Sequence, residues 1–206
     1  MLIKLYPENP NVKQIKQVVE CLKKGGIIIY PTDTVYGLGC DINNQKAIER
    51  ICQIKGIKPD KANFSFICHD LSNLSDYTLP LENTTFKLMR RALPGPFTFI
   101  LKANSNVPKI FKSNKKTVGI RIPNNSIAIE IVKELGNPIL STSIPADGQM
   151  FEILTDPELI FEEYKNKVDI VIDGGIGKDI PSTVVDCSQD EPEVIRQGLG
   201  ILEDFI

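Results

Sequence analysis

Short runs rich in Ile, Val and Phe alternate along this 206-residue chain with segments whose apolar residues recur every three or four positions. The runs read as buried strands and the periodic segments as helices with one apolar stripe. Residues 11–24, NVKQIKQVVECLKK, put Val12, Ile15, Val18, Val19 and Leu22 on one face, and Gly25-Gly26 stops that helix. The strand 27–30 (IIIY) follows at once, ended by Pro31. Further helices are expected at 44–55, with Ala47, Ile48, Ile51, Cys52 and Ile54 inward, and at 81–92, 126–135 and 156–165. Strands are expected at 64–68, 97–102, 117–122, 139–141, 168–172, 183–187 and 193–196. Some consecutive strands have no helix between them, which points to an α/β domain on a mixed parallel and antiparallel sheet. No repeat or low-complexity linker divides the chain, so a single domain over 1–206 is expected.

Composition excludes several classes. Apolar residues make up 42% and charged residues 24%, ordinary values for a soluble protein. No apolar run approaches the roughly 18–20 residues that span a membrane, and the N-terminus MLIKLYPENP has no secretory core, so a cytoplasmic protein without membrane partners is expected. The five cysteines are odd in number and widely spaced, with no Cys-x-x-Cys pair, which argues for reduced thiols and against zinc. His69 is the one histidine, so a multi-imidazole metal site and a Ser–His–Asp triad both lack players. With a net charge of −2, any polyanion must meet a local patch, and KIFKSNKKTVGIR supplies Lys109, Lys112, Lys115, Lys116 and Arg121. GIGK at 175–178 lacks the hydroxyl residue after lysine that a P-loop needs, and Gly37-Leu-Gly39 lacks the third glycine of a dinucleotide fingerprint. Both are expected to be turn glycines.

What remains is a set of hydroxyls and cations near strand ends: Thr32, Thr34, Lys55, Lys58, Thr117, Arg121, Ser141, Thr142, Ser143, Ser182, Thr183 and Arg196. Open α/β sheets bind ligands at the carboxyl ends of their strands. Hydroxyls and cations suit phosphates and carboxylates there. Spacing alone names no ligand.

In order and spacing, YPTDTVYGLG, Lys55 with Lys58-Pro59, PGPFTFILK (94–102), TVGIRIP (117–123), LSTS (140–143), PSTVVD (181–186) and Arg196-Gln-Gly198 resemble the YrdC/YciO family over nearly the whole chain. The resemblance implies a twisted mixed sheet with flanking helices around a concave basic cavity, without the additional C-terminal domain of longer members. It also implies the chemistry of L-threonylcarbamoyladenylate synthases. These join L-threonine, bicarbonate and ATP, with Mg2+, into threonylcarbamoyl-AMP and pyrophosphate, for N6-threonylcarbamoyladenosine formation in tRNA. Two alternatives come with it: a non-catalytic module binding double-stranded RNA or nucleotides, and a carbamoyl transferase with another acceptor.

By matching position, the resemblance implies threonine contacts from Thr34, Cys68, Arg121, Ser141 and Ser182, with Arg121 gripping the carboxylate through paired N–H donors. Nucleotide contacts fall to Lys55, Lys58, Asn63, Thr117, Ser143 and Arg196, and the catalytic cations are Lys55, Lys58 and Arg121. Gly37 and Gly39 are then expected to turn the chain away from the pocket. This chain has Lys55-Gly-Ile-Lys58-Pro59 where the synthases have Lys-x-Arg-Pro, Ser143-Ile144-Pro145 where they have Ser-Ala-Asn, and Cys68 where they have histidine. These differences resemble the YciO branch more than the YrdC branch.

Overall fold

A computed structural model describes residues 1–59, 62–107, 116–145, 154–189 and 191–205. In chain order the elements are β1 (Leu2–Lys4), α1 (Val12–Lys23), β2 (Ile28–Tyr30), β3 (Gly37–Asp41), α2 (Gln45–Lys55), β4 (Ser65–Ile67), α3 (Asn83–Ala92), β5 (Phe97–Lys102), β6 (Thr117–Arg121), α4 (Ser126–Leu135), β7 (Ile139–Ser143), α5 (Pro157–Tyr164), β8 (Ile170–Asp173), β9 (Thr183–Asp186) and β10 (Glu193–Arg196). The strands form one ten-stranded sheet in the order β1-β8-β2-β3-β7-β4-β6-β5-β9-β10. It is mixed: β8 is parallel to β1 and β2, β4 to β6 and β5 to β9, whereas β2–β3, β3–β7, β4–β7, β5–β6 and β9–β10 are antiparallel.

Local chemistry explains the helix ends. The side chains of Asn11, Asn44, Asn125 and Asp156 each accept hydrogen bonds from first-turn backbone N–H groups of the helices they precede. Gly56 and Gly136 close α2 and α4 at φ of 64° and 82°, a left-handed conformation in which a side chain would be strained. In α1 the buried face is Ile15, Val18, Val19 and Leu22. Val12, which shares their helical spacing, is instead 65% exposed, because it opens the helix beyond the edge of the sheet-facing stripe.

Two strands are absent from the local sequence pattern. Leu2–Lys4 is too short to signal itself and is held by pairing with β8. The second, β3, corrects the reading of Gly37 and Gly39 as turn glycines. Both lie inside a strand, paired with Tyr30 and Ile28 on one side and with Ser143 and Ser141 on the other. Their lack of a side chain serves close packing: a Cβ on Gly37 would stand 2.8 Å from Tyr30 Cζ, and one on Gly39 would stand 2.7 Å from Ile139 Cγ2 and 2.8 Å from the Leu140 carbonyl.

The sheet separates two cores. The larger takes Ile27, Ile29, Leu38, Cys40, Phe66, Phe97, Phe99, Leu101, Val118, Ile120 and Leu140 from one face, under α2, α3 and α5. The smaller joins α1 and α4 to the other face through Ile3, Ile28, Tyr30, Ile67, Ile139, Ile170 and Ile172. It includes no residue of β5, β6, β9 or β10. Side chains alternate along a strand, so on that half of the sheet the second face carries Thr98, Thr117, Gly119, Arg121 and Val184. The two helices thus bury half of one face, and the half beside them mixes polar and apolar residues, with Thr98 and Arg121 themselves buried.

Candidate functional site

The site begins at the turn between β2 and β3. Thr32 Oγ1 accepts from the Thr34 N–H at 3.0 Å and donates to the Val35 carbonyl at 2.7 Å, folding Pro31–Val35 into a tight hydroxyl-supported loop. The loop after β8 closes over it. Lys178 N–H donates to the Thr34 carbonyl, and the Tyr36 hydroxyl donates to the Gly175 carbonyl at 2.6 Å. Burial pushes the Tyr36 phenol up to about 12, so it stays a donor.

Arg121, the last residue of β6, reaches this turn. Its Nη2 donates to Asp33 Oδ1 at 2.6 Å, Thr34 Oγ1 at 2.8 Å and Thr32 Oγ1 at 3.1 Å. The ion pair is buried, with side chains 9% and 10% exposed. Two N–H bonds are thus shared among three oxygens, while Arg121 Nε and Asp33 Oδ2 have no hydrogen-bond partner among the described residues. Nη2 is thus already engaged by the chain itself. Thr34 Oγ1 accepts from Arg121 and, with the Thr32 proton given to the Val35 carbonyl, can donate to Thr32 Oγ1 at 3.3 Å. Arg121 is also removed from the surface basic stretch read in the sequence. Of that stretch, Lys116 is exposed, and Lys109, Lys112 and Lys115 lie outside the described residues.

Two further groups line the same face, and a third contact lies at the end of α2, which packs on the larger-core side. The Tyr30 hydroxyl donates to Ser141 Oγ at 2.6 Å. Ser182 Oγ pairs with Thr98 Oγ1 at 2.9 Å, and Arg196 Nη2 donates to the Ser182 carbonyl at 2.7 Å and to its Oγ at 3.3 Å. Lys55 Nζ, at the end of α2, donates to the Ser143 carbonyl at 2.8 Å. Register places Ser141 beside Ser65, Ser65 beside Gly119, and Arg121 beside Ile67, so the strand residues of the set share one side of the sheet. Burial and the neighbouring Arg121 charge both lower the Arg196 pKa. Lys55 is lowered as well, by burial.

The fold therefore brings together Thr34, Arg121, Ser141, Ser182 and Arg196, with Lys55 and Ser143 on the β3–β7 side. Thr117 opens β6, half-buried, on the same face. Lys58 and Asn63 are exposed on the segments between α2 and β4, outside this hydrogen-bonded set. Cys68 is not brought into that set. It packs in the larger core, its Sγ 4.0 Å from the Phe66 carbonyl, and burial pushes its thiol up to about 12. All five cysteines are free thiols. Asp33, Tyr30 and Thr98 were not singled out from sequence. In the sequence Asp33 stands out as a carboxylate among the hydroxyls of the 31–35 turn, whereas Tyr30 and Thr98 read as ordinary strand residues. Among the described residues no group of three or more His, Cys, Asp or Glu could hold a metal ion, and no helix is long and apolar enough to cross a membrane.

Residues 20–198 match the family described as Telomere recombination, Sua5_yciO_yrdC. The chain belongs to this family. It is 43% identical over 203 residues to YciO of Escherichia coli strain K12, a protein of uncharacterised activity, covering 98% of this chain and 97% of that one. The crystal structure of E. coli YciO superposes with a TM-score of 0.92 at 42% identity, over 100% and 99% of the two chains. The threonylcarbamoyl-AMP synthase of Bacillus subtilis is 33% identical over 199 residues, 95% of this chain and 56% of that longer one. P. abyssi Sua5 in complex with L-threonine superposes with a TM-score of 0.86 at 26% identity, over 96% of this chain and 57% of that one. Within the YrdC/Sua5 family the likeness to YciO is thus the stronger, and the synthases are more distant.

Proposed function

We propose that the chain is a threonylcarbamoyl-AMP synthase or a near relative, joining a small amino acid, bicarbonate and ATP and releasing pyrophosphate. The observation that carries the reading is the gathering of the buried Arg121, Thr34, Ser141 and Ser182, together with Arg196, beside one half-face of the sheet. The kinship with threonylcarbamoyl-AMP synthases and with a threonine-bound Sua5 supports the choice of substrate.

The chemistry asks little of acid–base side chains. The amine adds to a carbon dioxide equivalent to give a carbamate. A carbamate oxygen then attacks the α-phosphorus of ATP, and pyrophosphate leaves. Two anions must approach one another, so the chief requirements are positive charge and positioning. Arg121 and the hydroxyls of Thr34, Ser141 and Ser182 hold the amino-acid carboxylate. Arg196 and Lys55 face the phosphates. Magnesium would enter as the ATP complex and offset phosphate charge; among the described residues no group of three or more His, Cys, Asp or Glu could hold it.

Incubation with ATP, magnesium, bicarbonate and L-threonine is expected to release pyrophosphate in proportion to threonine. Release that needs a different acceptor would favour a transferase, and nucleotide binding without release would favour a binding module. Lys55 supplies a pH signature. Burial lowers its pKa, so its positive charge is lost at a lower pH than for an ordinary lysine. ATP affinity is expected to weaken as pH rises through this lowered value. In Lys55→Arg, whose guanidinium stays charged, that alkaline limb is expected to disappear. An identical limb in the variant would remove Lys55 from the phosphate site.

A further inference from the structure

Ser141 owes its direction to a residue that makes no contact with the solvent-facing part of the site. Tyr30 ends β2 and is fully buried. Its ring lies across the neighbouring strand where Gly37 and Gly39 stand. A Cβ at Gly37 would be 2.8 Å from Cζ and 3.0 Å from the hydroxyl oxygen, and one at Gly39 would be 3.1 Å from Cε1. The two glycines form a shelf for the ring. The ring crosses β3 on that shelf, and its hydroxyl reaches Ser141 on β7, 2.6 Å away.

The polarity of this contact follows from acidity and burial. A phenol is a stronger acid than an aliphatic alcohol, hence the better donor of the two. Burial raises the phenol to about 12, so the proton stays in place through neutral pH. A buried O–H without an acceptor is costly, and the acceptor within reach is Ser141 Oγ. Once Ser141 Oγ accepts, its own hydrogen is available to a second acceptor. The Arg121 charge is felt at the Tyr30 phenol, so both lie in one neighbourhood.

We propose that Tyr30 is a positioning residue, holding Ser141 as a one-way donor that selects an acceptor group on the ligand. Under the function proposed above, on which this inference rests, that group is the carboxylate of the amino acid. The YPTDTVYGLG stretch is then one device: its Tyr30 orients a serine, its glycines seat the tyrosine, and its Thr34 and Asp33 hold the arginine that faces the same ligand.

Tyr30→Phe deletes one buried oxygen and leaves the shelf filled. The test measures the Kd of L-threonine and of ATP by calorimetry, and KM and kcat from pyrophosphate release, using the full chain. Tyr30→Phe is expected to raise the threonine Kd and KM roughly tenfold, as for loss of one aligned hydrogen bond to a charged group. The ATP Kd and kcat are expected to change less than about twofold. Ser141→Ala should give a similar rise, and the double variant should show no further rise, because both changes remove one donated hydrogen. An unchanged threonine Kd in a folded Tyr30→Phe, losses equal for threonine and ATP, or additive losses in the double variant would each overturn the role of Tyr30. Wild-type protein that binds ATP but no amino acid would overturn the functional reading instead, and the inference with it.

Discussion

Arg121→Ala is expected to lower the stability of the domain by about 3–5 kcal/mol and to abolish threonine-dependent pyrophosphate release while ATP still binds. The stability loss comes from what is left behind. Asp33 is 10% exposed at its side chain and has the Arg121 guanidinium as its ion-pair partner, so removing the cation strands a buried carboxylate. The mirror change, Asp33→Ala, is expected to cost a similar amount by stranding the guanidinium. Neither figure measures the net worth of the pair, since desolvation of both charges opposes their attraction. That distinction is testable in the same series. Replacing both residues with apolar side chains of matching bulk, Asp33→Leu with Arg121→Met, is expected to recover most of the lost stability and none of the threonine dependence. Denaturant unfolding of the four proteins checks the cycle. A loss below about 1 kcal/mol for Arg121→Ala would mark the pair as solvated and cheap.

Gly39→Ala is expected to cost about 1–3 kcal/mol through overpacking and to weaken threonine binding along with it. The added methyl would meet the Leu140 carbonyl at 2.8 Å and Ile139 Cγ2 at 2.7 Å, and the Tyr30 ring at 3.1 Å. The first is backbone of the paired strand and cannot swing aside. Relief therefore requires β3 and β7 to part or the Tyr30 ring to lift, and either movement shifts Ser141. Gly56→Ala gives the control. Nothing stands within 4 Å of a Cβ there, and the strain comes solely from its φ of 64°. That substitution is expected to destabilise without changing threonine affinity. If Gly39→Ala loses stability but keeps full threonine affinity, Ser141 does not depend on this packing.

The elements that identified themselves in the sequence are those with a local cause. α1, α2 and α4 combine a 3.6-residue apolar stripe with an asparagine cap and a following glycine, and these signals do not depend on distant residues. β5 and β6 are long enough to read from composition. The resemblance to the family rested on motif order, and the match over residues 20–198 and the likeness to YciO agree with it. β3 was illegible because two glycines within three residues carry the local signature of a turn. What makes them a strand is a neighbouring tyrosine ring that needs the space.

Much of the site belongs to the tertiary structure for the same reason. Side-chain direction in a strand reverses at every residue, and register is set by pairing with strands remote in sequence. Composition named Thr34, Arg121, Ser141, Ser182 and Arg196 as polar residues near strand ends. Only the sheet put the Arg121 guanidinium against a carboxylate 88 positions away, set Tyr30 against Ser141 at a separation of 111, and turned Cys68 into the core. Local sequence determined which segments are helices and which residue types carry charge or hydroxyls. Packing decided which of them meet, because α1 and α4 cover one half of the second face of the ten-stranded sheet and the hydroxyls and Arg121 gather on the other.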